Sequence, residues 1–216
     1  MTIENRALVI ACGALAREIV ALMKTNGWAG VDVRCLPPEL HNRPERIPEA
    51  VRSEIASARA RYDRIFVAYA DCGTGGLLDA VLREQNVERL RGAHCYEFFA
   101  TRTFFAALAE DEPGTFYLTD FLVRHFERLV VAGLGMDRHP ELAGEYFRHY
   151  RRVVYLVQAH DPELGRIARG IARRFGLEYV ERHTGYGELE TSLRAWTGVT
   201  ERVLEERSPE PTPWPR

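Results

Sequence analysis

Short apolar runs that alternate with amphipathic stretches predict an α/β protein, and three observations carry the reading. Residues 7–11, 63–70 and 153–157 contain apolar runs without polar alternation, as expected for parallel strands covered on both faces. Apolar residues at helical spacing follow: Leu15, Ile19, Leu22 and Met23 after the first run, and Leu164, Ile167, Ile171 and Phe175 after the last. The turns between strand and helix are short and glycine-bearing, at Cys12-Gly13 and at Asp71-Cys72-Gly73-Thr74-Gly75-Gly76. Alternation of this kind gives right-handed crossovers and a doubly wound, Rossmann-like, mostly parallel sheet.

Taken in order, the first strand ends at Cys12 and its helix is stopped by Asn26-Gly27. A second strand over 31–36 is closed by Pro37-Pro38, and a polar loop carrying His41-Asn42-Arg43-Pro44 follows. The helix over 48–61 has Pro48 in its first turn, where a missing N–H is harmless. The third strand, 63–70, feeds the glycine turn and a helix over 75–85. A short fourth strand, 87–90, runs into His94-Cys95.

From about 96 to 150 the pattern becomes helical and aromatic. Phe104, Phe105 and Leu108 suggest one helix, and Thr119-Asp120 caps another carrying Leu122, Phe126, Leu129 and Val130. This segment is expected to be a helical insertion between the fourth and fifth strands. The fifth strand covers 153–157 and the last 178–182, with a final helix through Trp196. Residues 1–207 are expected to form a single α/β domain, with the proline-rich 208–216 as a disordered tail.

The chain has 216 residues and a formal net charge of −2, with both signs mixed along it, which argues against a nucleic-acid-binding module. No stretch approaches a membrane span and no signal-peptide pattern opens the chain, so a cytoplasmic location is expected. Thiols stay reduced there, so the four cysteines call for an explanation other than disulfides. Cys35, inside a strand, is assigned to the core.

Doubly wound sheets bind ligands at the carboxyl ends of their strands. Cys12, Cys72 and Cys95 follow the first, third and fourth strands, and three thiols on one edge suit an open metal site, zinc by the softness of the donors. Each could equally be a small core residue. His41 and His94 are candidate catalytic bases, acids or added ligands, and Asp71 brings a carboxylate to the same space. Gly13, Gly73, Thr74, Gly75 and Gly76, with Arg43, are candidate cofactor-binding residues, because free N–H groups at a helix start suit an anion.

With the segments Ala11-Cys12-Gly13-Ala14-Leu15, Leu40-His41-Asn42-Arg43-Pro44, Tyr69 to Gly76, Ala93-His94-Cys95-Tyr96-Glu97-Phe98-Phe99 and Gly114 to Asp120, the chain resembles the DUF1638 family of bacterial and archaeal proteins of unassigned function. That family is associated with gene neighbourhoods of corrinoid-dependent methyltransferases. The resemblance therefore implies thiol- or corrinoid-linked one-carbon methyl transfer, with a small-molecule substrate and a corrinoid protein or methyltransferase as partner. Zinc-dependent methyltransferases are similar in site chemistry, holding a substrate thiol at an open position.

Two other readings stand beside it. Aspartate/glutamate racemases also set two cysteines at strand ends, and Cys12 and Cys72 could act as such a metal-free pair. This chain lacks the Asn-Thr and Thr-Glu that follow those cysteines. The third reading is a non-catalytic module that holds a small anion or a corrinoid tail in the glycine loop, although the Asp-x-His-x-x-Gly cobalamin motif is absent.

Overall fold

The structure, a computed structural model, describes residues 6–198; the expected tail lies outside them. All strand pairings are parallel, and the strands fall in two sheets where the sequence suggested one. The first holds β1 (Ala7–Cys12), β2 (Val31–Leu36), β3 (Arg64–Ala68) and β4 (Glu88–Arg89), in the order β2-β1-β3-β4. The second holds β5 (Thr115–Thr119), β6 (Arg152–Val157) and β7 (Glu178–His183), in the order β5-β6-β7. The α/β class with parallel strands is as expected.

Every residue of β1 is buried, because it is central and covered on both faces. From β1 the chain winds one way to β2 and the other way to β3, so right-handed crossovers put α1 (Ala16–Asn26) and α2 (Ile47–Ala58) on opposite faces. Leu15, Ile19 and Leu22 fill the core on one side, and Val51, Ile55 and Leu78 of the helices α2 and α3 (Leu77–Gln85) fill it elsewhere. Between β1 and β3 the winding reverses, and that switch point leaves a crevice at the carboxyl edge.

The segment expected to be a helical insertion contains β5, the first strand of the second sheet. Its sequence, Thr-Phe-Tyr-Leu-Thr, is aromatic and β-branched, which fits a half-buried pleated surface. Around it lie α4 (Arg102–Asp111), α5 (Asp120–Arg124), a π-helical turn at Glu127–Ala132 and α6 (Leu142–Phe147). Thr119 caps α5 as predicted, its Oγ1 accepting the Leu122 N–H at 3.2 Å. Leu118, Phe126, Val153 and Tyr155 form a second core with Leu164 and Ala168 of α7 (Pro162–Arg174).

The last helix, α8 (Gly187–Thr197), returns to the first sheet. Leu189 and Leu193 are buried in that sheet's core, each worth about 2 kcal/mol of apolar burial. Trp196 rests on Phe66 at 5.2 Å between ring centroids, and Arg64 lies 4.8 Å over the indole and donates to the Trp196 carbonyl. Arg128 pairs with Glu39 across the two halves. The carboxyl edge of the first sheet thus faces the second half across a cleft. Among the described residues no helix is long and apolar enough to cross a membrane.

Cys35 corrects its assignment. It is exposed, because β2 is an edge strand with one neighbour and an incomplete cover.

Candidate metal centre

The centre is built from four chain segments at the switch point. Cys12 ends β1, and its Sγ accepts the Ala14 N–H at 3.3 Å, which starts the 3-10 turn Gly13–Leu15. At Gly13 a side chain would meet the Leu36 carbonyl oxygen at 3.1 Å and the Pro38 ring at 3.0 Å. Glycine there lets the β2 exit pack close to the β1 turn. That packing brings in the 3-10 turn Pro38–Asn42, and with it His41.

After β3 the chain stays buried through Tyr69 and Ala70 and then turns at Cys72, whose φ is 51°. The N–H groups of Asp71 and Cys72 donate to the carbonyls of Gly92 and Ala93 at 3.0 and 2.8 Å, tying this turn to the segment after β4. There the 3-10 turn Cys95–Phe99 begins, anchored where the Glu97 carboxylate accepts the His94 N–H at 3.0 Å.

Cys72 Sγ and Cys95 Sγ are 3.0 Å apart, and Cys95 Sγ is 3.8 Å from His41 Nε2. One ligand atom from each of His41, Cys72 and Cys95 lies within 4.8 Å of the others, so the group could hold a metal ion. A tetrahedral zinc ion would separate its sulfur and nitrogen donors by about 3.6 Å, given Zn–S near 2.3 Å and Zn–N near 2.0 Å. The Cys95–His41 separation already lies close to that figure, and the two sulfurs would have to part by less than an ångström.

His41 Nδ1 lies 3.1 Å from the Pro38 carbonyl oxygen. A carbonyl only accepts, so Nδ1 carries the proton and Nε2 presents its lone pair to the sulfurs, the outer-shell arrangement that orients a ligating imidazole. The ring stacks on the buried Tyr69, with centroids 6.2 Å apart and planes 13° apart. Cys12 Sγ sits 3.7 Å from Nδ1. It borders the three-residue group and is not one of its members.

Burial disfavours charge on His41, but hydrogen bonds with Cys72 and Cys95 outweigh it and lift its pKa to about 10. Cys72 is pushed far above the usual thiol range by the adjacent Cys95 and by burial, with His41 opposing. Cys95 is raised too, first by its contact with Cys12. These directions conflict, since an imidazolium here would need thiolate partners. Crowding and burial both favour neutral thiols. A bound cation reverses that balance by deprotonating the thiols it holds.

The other predicted site residues are distributed as follows. Asp71 is engaged by its own loop, accepting from Thr74 Oγ1 at 2.7 Å, Gly75 N at 3.1 Å and Gly76 N at 2.9 Å. Burial raises its pKa, but these bonds and Arg89 lower it more, leaving it below the usual carboxylate range. The N–H groups of Gly75 and Gly76 that suggested an anion cradle therefore already hold an internal anion. Thr74 Oγ1 also accepts the Leu78 N–H at 3.4 Å, and Gly73 packs over Pro44. His94 is exposed, stacks on Tyr96 at 5.0 Å and borders the mouth of the centre with Cys72, Gly73 and Cys95. Arg43 is exposed between two 3-10 turns and lines neither cavity that meets the centre.

Sequence reasoning passed over Tyr69 and the Pro38 carbonyl. Tyr69 stands three residues before Cys72 at a strand end, a position that could have marked it. No local pattern marks the carbonyl.

Fold and site define an α/β protein with a half-buried thiol–imidazole group at the switch point of a parallel sheet. The chain belongs to the DUF1638 family, described as a protein of unknown function, which it matches over residues 35–193. That range contains His41, Cys72 and Cys95 and begins after Cys12. Comparison with curated proteins and with solved structures gives no match.

Proposed function

We propose that the protein binds one zinc ion through His41 Nε2, Cys72 Sγ and Cys95 Sγ, with a fourth position open. The observation that carries this is the convergence of the three donors within 4.8 Å at the crevice of the sheet. Two thiolates and an imidazole favour zinc among common metals, and three protein ligands with a free position are the pattern of a catalytic site. Cys12, a ligand by sequence, is in this reading a neighbour of the three donors, its Sγ 3.7 Å from His41 Nδ1 and in contact with Cys95.

An open position on a thiolate-rich zinc site suits the activation of a substrate thiol. With the resemblance already described, this supports a role in thiol- or corrinoid-linked one-carbon methyl transfer in the cytoplasm. The partner would be a corrinoid protein or methyltransferase carrying the methyl group, with neither nucleic acid nor membrane involved. His94, at the mouth, is the group able to exchange a proton with a bound ligand. The racemase-like reading needs Cys12 and Cys72 to face each other across a substrate. Cys12 has no exposed surface, so that reading gains no support.

Metal analysis of protein purified without chelator tests the proposal. About one equivalent of zinc is expected, with an absorption-edge spectrum fitted by two sulfurs and one protein nitrogen. Less than about a tenth of an equivalent would sink it.

A further inference from the structure

Two cavities meet at the pair His41 and Cys95. The outer one, of about 330 Å3, is bordered by Pro44, Gly73 and His94 and forms the mouth. The inner one, of about 220 Å3, lies in the cleft between the two halves. Ala14, Leu15 and Phe99 wall it on the first half, and Phe121, Leu122 and Leu129 on the second. Tyr96 stands between the two spaces and lines both.

Among the described residues no Asp, Glu, Lys or Arg side chain lines the inner cavity. Its uncharged polar side chains include Asn42, Tyr117 and Thr119; Thr119 Oγ1 already accepts the Leu122 N–H, while the buried Tyr117 hydroxyl has no hydrogen-bond partner. A charged ligand group there would lose its hydration and find no counter-charge, whereas an apolar body would lose only water. An apolar cavity of about 150 Å3 accepts benzene, so this one has room for an aromatic ring and one or two further heavy atoms. Its border with His41 and Cys95 is where a soft donor on the ligand would reach the open metal position.

We infer that the inner cavity takes the body of a small uncharged apolar thiol, with its sulfur directed at the His41–Cys95 border. The direction of the sulfur rests on the zinc reading, while the apolar seat does not. Small thiols that carry a sulfonate or carboxylate are excluded from this cavity.

The test measures binding of phenylmethanethiol, 2-mercaptoethanesulfonate and toluene to the full chain, zinc-loaded and metal-free, by calorimetry and ligand-observed NMR. Zinc-loaded protein should prefer phenylmethanethiol over the sulfonate at least tenfold. Toluene should bind both forms. Leu129→Trp, which fills the cavity from the second half, should remove the preference and the toluene signal while zinc stoichiometry stays unchanged. Ala14→Phe fills it from the other wall and serves if the first variant fails to fold. Equal or tighter binding of the sulfonate, or no toluene binding to either form, would overturn the inference. Toluene binding that Leu129→Trp abolishes, in a protein that takes up no zinc, would uphold the apolar seat and overturn the zinc reading together with the sulfur's direction.

Discussion

Cys95→Ser removes one of three donors and leaves the fold around it nearly unchanged, since serine fits where the thiol did. Structural zinc sites hold their ion with about 10–16 kcal/mol of apparent binding free energy. If each of three ligands carries about a third, losing one costs about 3–5 kcal/mol, or two to four decades in affinity at about 1.4 kcal/mol per decade. Cys72→Ser should behave alike. Cys12→Ser should not, because Cys12 Sγ lies beside the Nδ1 of His41, and that nitrogen is turned to the Pro38 carbonyl. A serine hydroxyl there can still accept the Ala14 N–H, so the effect should stay within the roughly 10–100-fold range of outer-shell changes. The assay is competition between the apoprotein and a chromophoric chelator, paired with cobalt(II) substitution, whose thiolate charge-transfer absorption grows with the number of bound sulfurs. The wild type and Cys12→Ser should give matching two-thiolate spectra, and Cys95→Ser a weaker one. Equal losses for Cys12→Ser and Cys95→Ser, or a Cys95→Ser affinity within tenfold of wild type, would refute the assignment.

Asp71→Asn should destabilise the chain by about 1–3 kcal/mol near neutral pH, because the loop donors lose a charged acceptor. The folded pKa of Asp71 lies below its ordinary value of 3.8, so its stabilisation is present above that value and lost as pH falls through the folded pKa. The gap between wild type and variant in urea unfolding should therefore close in acid, and a gap independent of pH would contradict the reasoning. Gly187→Ala meets two obstacles: φ is 47°, and the new Cβ would approach the Phe98 carbonyl oxygen and the Phe99 carbonyl carbon at 2.7 Å. It should cost more than about 1–2 kcal/mol and disturb the seating of α8, visible as altered Trp196 fluorescence. In zinc-loaded protein one thiol should react quickly with a disulfide reagent, and Cys35→Ser should abolish that phase, since Cys35 is exposed while Cys12 and Cys72 are buried.

Much of the first half was legible in the residues. Strands and helices are local patterns of apolar spacing, and β1, α1, α2 and α3 follow them closely. The cysteines at strand ends could be read the same way, because in a parallel sheet the chain direction alone assigns them to the carboxyl edge. The strand β5 was hidden because five residues between helical stretches, four of them aromatic or β-branched, do not specify which strand they will pair with. The division into two sheets was equally silent, since parallel pairing is decided by packing between segments far apart in sequence.

The sequence by itself determined that this is an α/β protein whose thiols gather on one edge. Only the tertiary structure decided which groups meet there. His41 reaches Cys95 because Gly13 lets Pro38 pack against the β1 turn, and Cys12 borders the three-residue group without being one of its members. Cys35 is exposed because its strand ended as an edge. A side chain's type and spacing set what chemistry it can offer, but its partners are set by long-range packing, which no local pattern encodes.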